Sequence, residues 1–319
     1  MAAGTSSEPS PLSTLPNELP ANFLKDITNN FSTERELGKG AFGTVYKGIL
    51  PHGEVIAVKQ LDQNSAVPQE KQFKNEVINL MAAQHENIVK LVGYCHGTQK
   101  KVVEHNRKYI IVDVTETFLC YEYLSKGSLD KYLFGSGVKI DWDTRFKIIK
   151  GICQGLHFLH NGMDQPVVHM DLKPDNILLD NNMIPKISDF GLSRLIGQEQ
   201  TRLNTQTVVG ALGYLAPEYL YRGEISPQSD IYSLGMLLIQ ISTGEKNKSN
   251  TEDKCGAKFI EQVRQEWTDH KITSMYASLG AGHLQEIKRC IEIGLQCVEV
   301  DRKKRPTIKE IIDKLNGKR

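Results

Sequence analysis

The chain has 319 residues, and its 39 Lys and Arg residues nearly balance 38 Asp and Glu residues, for a formal net charge of +1. This balance gives no reason to expect a nucleic acid or a membrane surface as partner, and 39% hydrophobic with 24% charged residues is ordinary for a globular protein. At about 150 residues per domain, the length predicts about two domains or lobes.

No targeting or membrane signal is found in the sequence. The first ten residues lack the apolar core of a secretory signal, Ala2 argues against myristoylation, and no run of 18 apolar residues occurs. We therefore expect no membrane span in this chain. The expected location is cytoplasmic, either as a separate protein or as the inner part of a plasma-membrane receptor.

The six cysteines form no Cys-x-x-Cys pair, so we expect small buried thiols rather than disulfides or a metal site. Residues 1–20 hold four of the 12 prolines, with Ser and Thr between them. Such a segment buries little apolar surface, and we predict a disordered, juxtamembrane-like linker over residues 1–22.

The first lobe is predicted to be rich in strands. The β-branched run Val55–Val58 follows a turn and favours a strand, whereas Phe73, Val77 and Leu80 recur at i, i+4 and i+7, which indicates one face of a helix. From about Asp141 onward, apolar residues at helical spacing dominate. The change in pattern predicts an N-lobe over about 23–122 and a C-lobe over about 127–319, with a ligand cleft between them.

Gly38, Gly40 and Gly43 belong to the pattern G-x-G-x-x-G-x-V, which ends at Val45. Glycines let the backbone approach phosphate oxygens closely, because no Cβ intervenes. The alternatives are a plain turn and a dinucleotide-binding fingerprint, which requires a helix directly after the loop. Here the residues from Thr44 to Leu50 look like a strand, which favours a phosphate-covering hairpin.

Lys59 ends the apolar strand that contains Ala57. Such a lysine either points to solvent or supplies a cation to phosphates, held by a carboxylate. Glu76 is the preferred partner because it lies mid-helix beside the inward-facing Phe73 and Val77; Glu70 and Glu86 are the other acids nearby.

The segment from His169 to Asn176 holds Asp171, Lys173 and Asn176, and Asp189 opens the triplet Asp-Phe-Gly after a short strand-like stretch. Together they supply a proton acceptor, a cation and two metal ligands, which phosphoryl transfer from ATP requires. His169 itself is expected to be a packed imidazole rather than a general base.

With these motifs in order, the chain resembles the eukaryotic protein kinase family over about residues 31–315. More closely, it is similar to the plant receptor-like kinases related to Pelle and the interleukin-receptor-associated kinases. The stretches that carry this resemblance are Ile27-Thr28-Asn29-Asn30-Phe31, Gly93-Tyr94-Cys95, Tyr121-Glu122-Tyr123-Leu124, Gly127-Ser128-Leu129 and Gly213-Tyr214-Leu215-Ala216-Pro217-Glu218-Tyr219.

The resemblance implies an α+β, bilobal protein kinase fold, with a small β-rich N-lobe containing one main helix and a larger α-helical C-lobe. It also implies that Asp171 accepts the substrate hydroxyl proton, that Lys173 steadies the γ-phosphate, and that Asn176 and Asp189 hold Mg²⁺, or Mn²⁺ in its place. Lys59 and Glu76 complete the catalytic set.

The resemblance assigns further residues to the nucleotide and to the frame of the C-lobe. It implies that adenine lies between Val45, Ala57 and Leu178, with Tyr121 as gatekeeper and the backbones of Glu122 and Leu124 on the adenine edge. It also implies a buried Glu218–Arg305 ion pair and an Asp230 that accepts backbone N–H groups of the catalytic loop.

Two residues depart from the family pattern. Met170 stands where many kinases have an arginine that pairs with a phosphate on the activation segment, and methionine cannot make that contact. We expect activity to depend less on phosphorylation of this segment, and the departure indicates an immune signalling role. Ala211 replaces a usual threonine whose hydroxyl bonds the catalytic aspartate and lysine, so we expect reduced turnover.

Two further stretches are candidates for a regulatory role. Thr98 to Glu116 is longer than the usual connection, and it is either a solvated hairpin extension or a docking surface. Thr201, Thr205 and Thr207 are candidate phosphosites, and the alternative is that they are exposed hydroxyls of no function.

The predicted function is a serine/threonine kinase that transfers the γ-phosphoryl group of ATP to protein substrates in plant receptor-type signalling. Receptor or co-receptor kinases are the expected partners besides substrates. The alternatives are a weakly active or inactive pseudokinase that serves as an ATP-binding scaffold, and a small-molecule kinase on a similar fold.

Overall fold

A computed structural model describes residues 17–63, 65–137, 139–197 and 202–318. The chain divides into two compact units: residues up to Met81 together with Lys90–Tyr123, and Ala82–Val89 together with the residues from Leu124 onward. None of the helices in these described ranges is long and apolar enough to cross a membrane.

The N-terminal unit is built on a six-stranded sheet with strand order β1-β5-β6-β4-β3-β2. Its strands are β1 (Asn17–Glu18), β2 (Glu36–Gly40), β3 (Gly43–Ile49), β4 (Val55–Leu61), β5 (Leu91–His105) and β6 (Lys108–Glu122). Its helices are α1 (Ala21–Ile27) and α2 (Gln69–Ala82). The predicted helix through Phe73, Val77 and Leu80 is therefore confirmed as α2.

We predicted a disordered linker over residues 1–22, and this prediction is wrong for residues 17–22, which are ordered. Residues 1–16 lie outside the described residues. Asn17–Glu18 pairs in parallel with Gly93 and Tyr94 of β5, and α1 begins at Ala21. The physical reason is burial: Leu24 and Ile27 of α1 join the apolar cluster under the sheet, which offsets the cost of ordering this segment.

The C-terminal unit is mainly helical. Its helices are α3 (Leu129–Phe134), α4 (Trp142–His157), α5 (Pro217–Arg222), α6 (Pro227–Thr243), α7 (Ala257–Glu266), α8 (Asp269–Met275), α9 (Ala281–Cys297) and α10 (Ile308–Leu315). Its short strands are β7 (Gly127–Ser128), β8 (Val167–Val168), β9 (Ile177–Leu179), β10 (Pro185–Ile187), β11 (Arg194–Leu195), β12 (Leu203–Asn204) and β13 (Glu224–Ile225). The predicted α+β class is confirmed.

Helix α6 is the central element of this unit, since it is buried on all sides from Ser229 to Thr243. Local sequence sets both of its ends. Ser226 and Ser229 form a capping box around Pro227, and Gly244 ends the helix in the left-handed region at φ 72°.

The cysteines behave as the sequence indicates. All six are free thiols and all six are buried. Burial raises the pKa of Cys255 to about 11 and those of Cys290 and Cys297 to about 12. The expectation of buried thiols without disulfides is confirmed.

Candidate functional site

The register of the N-terminal sheet places several predicted site residues on one face. Val45 lies opposite Lys59, and Ala57 lies opposite Tyr121. Residues opposite each other, and residues two apart along a strand, share a face. The four side chains therefore project from the same side of the sheet.

The other face of the sheet is the apolar core of this unit. Val58, Phe118 and Cys120 pack there with Leu24 and Ile27 of α1. With one face covered in this way, a register shift of one residue would turn the predicted site residues into the core. The core therefore fixes the orientation of the candidate site.

Lys59 and Glu76 form a buried ion pair within the N-terminal unit. Lys59 Nζ lies 2.6 Å from Glu76 Oε1, and the Tyr121 hydroxyl donates to the second carboxylate oxygen, Oε2. Glu76 is fully buried. Glu70, by contrast, is exposed and pairs with Lys74 one helical turn away, which lowers the pKa of Glu70.

The glycine pattern forms the hairpin between β2 and β3, where Gly40 lies opposite Gly43. A strand follows the loop, so the dinucleotide-binding alternative is excluded. A Cβ on Gly43 would lie 2.0 Å from the Gln60 carbonyl oxygen, and the φ of Gly43 is +147°. A Cβ on Gly38 or Gly40 would meet nothing within 4 Å. Of these three glycines, only Gly43 is therefore required by packing within the protein.

Asp171 is the centre of a polar cluster in the C-terminal unit. Its Oδ2 accepts hydrogen bonds from Lys173 Nζ and from Asn176 Nδ2, both at 2.8 Å. Its Oδ1 is buried and has no hydrogen-bond partner among the described residues. A buried carboxylate oxygen without a partner is costly, and it marks a place where a donor group fits.

Lys173 is held as a cation by the surrounding acids. Burial lowers its pKa, but the charge of Asp171, the hydrogen bond to it, and the charges of Asp189 and Asp175 outweigh this effect. The net pKa of Lys173 is raised. The side chain therefore stays protonated and presents positive charge beside the Asp171 carboxylate.

Asp230, near the start of α6, fixes the backbone of the loop before Asp171. Its Oδ2 accepts from the His169 N–H at 2.8 Å and its Oδ1 from the Met170 N–H at 2.9 Å. Met170 has the unfavourable φ of 70° for a side chain of its size. The two charge-assisted hydrogen bonds supply the constraint that holds this conformation. The capping role expected for Asp230 is thus confirmed.

His169 is fully buried, and its ring is occupied by loop contacts. Nδ1 accepts from the Asp171 N–H at 3.2 Å, so Nε2 donates to the Ser188 carbonyl oxygen at 3.0 Å. His169 is therefore a packed imidazole, as the sequence indicates.

Asn176 and Asp189 are the predicted metal ligands, and their donor atoms suit a hard divalent cation. The amide nitrogen of Asn176 donates hydrogen bonds to the carbonyl oxygen and to Oδ2 of Asp171. This orientation leaves the amide oxygen as the atom able to ligate a cation. Asp189 adopts the left-handed conformation at φ 67° and ψ 72°. One amide and one carboxylate oxygen fit Mg²⁺, which keeps several other oxygen ligands from water and phosphate.

The other residues predicted to contact adenine are Glu122, Leu124 and Leu178. The Glu122 N–H donates to the Lys90 carbonyl at 3.0 Å, and the Gly127 N–H donates to the Leu124 carbonyl at 3.1 Å. Leu178 lies in β9, opposite Ser128 of β7. Their contact with adenine stays a prediction.

The predicted Glu218–Arg305 pair is confirmed. The two guanidinium nitrogens of Arg305 each lie 2.7 Å from a different oxygen of Glu218, and both side chains are buried. Arg305 also lies over the ring of Tyr232, 5.0 Å from its centre. This pair joins α5 to the segment before α10.

The protein kinase domain family matches residues 31–315. The chain belongs to the protein kinase family. Relatives include cysteine-rich receptor-like protein kinase 29 of Arabidopsis thaliana, 40% identical over 92% of this chain, and a G-type lectin S-receptor-like serine/threonine-protein kinase of the same plant, 42% identical over 92%. The chain spans 42% and 33% of the lengths of these two relatives.

Sequence reasoning missed two contacts of the kinase domain. One is the hydrogen bond from the Tyr121 hydroxyl to Glu76; the other is that from His160 Nε2 to Asp230 Oδ2 at 2.8 Å. Both join residues far apart in sequence. A polar residue inside an apolar stretch was the available signal for each, since such a side chain needs a buried partner.

Proposed function

We propose that this chain is an active protein serine/threonine kinase that transfers the γ-phosphoryl group of ATP to protein side chains. The observation that carries the proposal is the state of the Asp171 carboxylate. One oxygen is held by Lys173 and Asn176, and the other is buried with no hydrogen-bond partner in the part of the chain that the structure describes. A substrate hydroxyl would supply the missing donor.

In the proposed reaction the acceptor oxygen attacks the γ-phosphorus while the bond from that phosphorus to the bridging oxygen of ADP breaks. The acceptor proton passes to Asp171 Oδ1, and ADP leaves with the bond electrons. Lys173, kept positive by its neighbours, lowers the energy of the developing charge. The protein contributes positioning and electrostatics rather than covalent chemistry.

Asn176 and Asp189 are proposed to hold Mg²⁺, for which Mn²⁺ can substitute. The cation would neutralise charge on the phosphate oxygens. The residues of this chain contribute the amide oxygen of Asn176, set by its two hydrogen bonds to Asp171, and the Asp189 carboxylate.

The nucleotide is proposed to contact the exposed glycines and Lys59. Gly38 and Gly40 face open space, so their backbone can approach phosphate oxygens. Lys59, fixed by Glu76, supplies a cation to the α- and β-phosphates. Val45, Ala57 and Leu178 are assigned to the adenine faces, with Tyr121, Glu122 and Leu124 at its edge.

The class of acceptor and the biological setting rest on relatives. A relative that is 42% identical is named a serine/threonine-protein kinase, and others are named receptor-like kinases. We propose Ser and Thr side chains of proteins as acceptors, receptor or co-receptor kinases as partners, and the inner side of the plasma membrane as the location. Met170 supports a setting in plant immune signalling.

The experiment is a turnover assay with ATP and Mg²⁺ on arrays of peptides that carry Ser, Thr or Tyr as the only acceptor. Phosphate on Ser and Thr peptides is the expected result. Nucleotide binding without transfer to any peptide or to the chain itself would identify a pseudokinase. Transfer to small hydroxyl compounds but to no peptide would identify a small-molecule kinase.

A further inference from the structure

Strands β5 and β6 extend as a hairpin well past the rest of their sheet. They pair continuously from Gly93 with Cys120 to His105 with Lys108. β4 accompanies β6 only as far as Phe118, and β1 accompanies β5 only at Gly93 and Tyr94. Within the described ranges, no strand pairs with the outer edge of β5 from His96 onward. The expected hairpin extension is confirmed, and it has an open edge.

The turn at the tip determines which backbone groups face this edge. Asn106 and Arg107 have φ values of 51° and 60°, as in a two-residue type I′ turn. The pair that closes such a turn, His105 and Lys108, exchanges hydrogen bonds, and bonded pairs alternate along the hairpin. Lys100, Val102 and Glu104 therefore point their N–H and C=O groups outward, away from β6.

The same residues lie on one exposed face of the hairpin. Val102 is 66% exposed and lies opposite Ile111, which is 69% exposed. Glu104 lies opposite Tyr109, which is 77% exposed, and Lys100 lies opposite Asp113. The face thus has an apolar row in the middle and a polar row on each side.

We propose that a second copy of this chain pairs with the outer edge of β5, so that the two hairpins form one antiparallel sheet. The two-fold axis passes between the two copies of Val102. In this register Lys100 of each copy lies opposite Glu104 of the other, and two symmetry-related ion pairs flank the central valines. Opposite charges directly across a strand pair are stabilising.

The register is restricted by geometry. A two-fold axis perpendicular to a sheet keeps each side chain on its own face, so opposed residues must both be odd or both be even in number. With Val102 opposite Val102, the apolar row becomes Ile111, Val102, Val102, Ile111 across the four strands. The polar row becomes Asp113, Lys100, Glu104, Tyr109, with alternating charge over its first three places.

The outer edge of β6 fits a second copy less well. Its equivalent register, centred on Ile111, places Tyr109 opposite Asp113 and Lys108 opposite Val114, with no opposite charges. In addition, Gln63 Nε2 already donates to the Thr115 carbonyl at 3.1 Å on that edge. Charge complementarity therefore selects the β5 edge.

The test is sedimentation equilibrium of the whole chain at loading concentrations from about 5 to about 200 µM, a range suited to a small interface. The unchanged chain is expected to form a reversible dimer. Lys100→Glu alone and Glu104→Lys alone each place like charges at both contacts and should weaken dimerisation about tenfold or more.

A mixture of the two variants tests the Lys100–Glu104 contacts most specifically. An equimolar mixture of Lys100→Glu and Glu104→Lys brings opposite charges to both contacts again, so a heterodimer should regain the original affinity. Lys108→Glu is the matched control, since it alters the charge of the same hairpin on its other face, and it should leave the dimer unchanged.

The proposal would be overturned by a monomer at every concentration, by single variants that dimerise like the unchanged chain, or by a mixture no stronger than its components. Binding of a monomeric chain to vesicles of phosphatidylserine would assign the apolar face to a lipid surface and would likewise overturn it.

Discussion

The Tyr121 hydroxyl donates a hydrogen bond to Glu76, the carboxylate that holds Lys59. The strand that carries Tyr121 is thereby connected to Lys59 through one residue of α2. Because Glu76 is fully buried, its negative charge is stabilised by both of these contacts.

Tyr121→Phe removes this donor while keeping the ring. Loss of a hydrogen bond to a buried charge is expected to lower the free energy of unfolding by about 1.5–3 kcal/mol. Denaturant unfolding of the two proteins measures the difference. Tyr109→Phe is the control, because Tyr109 is an exposed tyrosine on the same strand and should be neutral. Equal stability of all three proteins would show that the contact contributes nothing.

Substitutions of two glycines in the β2–β3 hairpin should have different effects: Gly40→Ala on the KM for ATP and Gly43→Ala on the melting temperature. Gly40→Ala adds a methyl group to open space, so it should leave thermal stability unchanged and raise the KM for ATP. Gly43→Ala drives a methyl group into the Gln60 carbonyl and should lower the melting temperature. A KM for ATP unaltered by Gly40→Ala would argue against phosphate contact at this loop.

Glu218→Gln should be among the most destabilising polar changes in the chain. It leaves Arg305 buried without its counter-charge, at an expected cost of about 3–5 kcal/mol in unfolding free energy. Glu70→Gln breaks an exposed pair with Lys74 and serves as the control, with no measurable change in melting temperature expected. Similar effects of the two substitutions in calorimetry would contradict the structural role given to the buried pair.

The buried thiols predict slow alkylation of the folded chain. At pH 8, a pKa of about 11 leaves only about 0.1% of Cys255 as the reactive thiolate. Raising the pH toward 11 increases that fraction, so the labelling rate should rise with pH. Mass spectrometry should find few labelled cysteines in the native chain at pH 8 and six in urea. Rapid native labelling would show that the thiols are accessible.

Ala211→Thr restores the hydroxyl common in the family and is expected to raise turnover about 2- to 13-fold, the rate equivalent of one hydrogen bond of about 0.5–1.5 kcal/mol. Steady-state kinetics with a peptide substrate measures it. Ala211→Ser is a further hydroxyl variant, and Ala211→Val matches threonine in shape without the hydroxyl. Equal rates for the threonine and valine variants would show that the hydroxyl is irrelevant.

Because residue 170 is methionine, we expect the activity to survive dephosphorylation of the protein. Phosphatase-treated protein should keep most of the activity of the untreated protein, because methionine makes no charge-assisted contact with a phosphate. Of the candidate phosphosites, Thr205 and Thr207 lie in the described chain and Thr201 lies outside it; mass spectrometry before and after treatment follows their state. A large loss of rate on dephosphorylation would show that another group replaces the missing arginine.

How far the sequence predicts the structure depends on whether a contact is local. The glycine hairpin, α2 and the Asp171 loop follow from motifs whose residues are near neighbours. Packing of α1 under the sheet could not be read from a proline-rich start, because its partners Phe118 and Cys120 lie about 90 residues away. The Tyr121–Glu76 hydrogen bond was missed for the same reason.

The proposed role of Asp171 as proton acceptor is tested by comparing phosphate transfer from ATP by the unchanged chain, by Asp171→Asn and by Asp175→Asn. Asp175 is the matched control, an exposed aspartate in the same loop that accepts no proton in the proposed reaction and makes the smallest contribution among the acids that keep Lys173 charged. We expect Asp171→Asn to abolish transfer, whereas both folding and activity should survive in Asp175→Asn. Undiminished transfer by a folded Asp171→Asn protein would contradict this role.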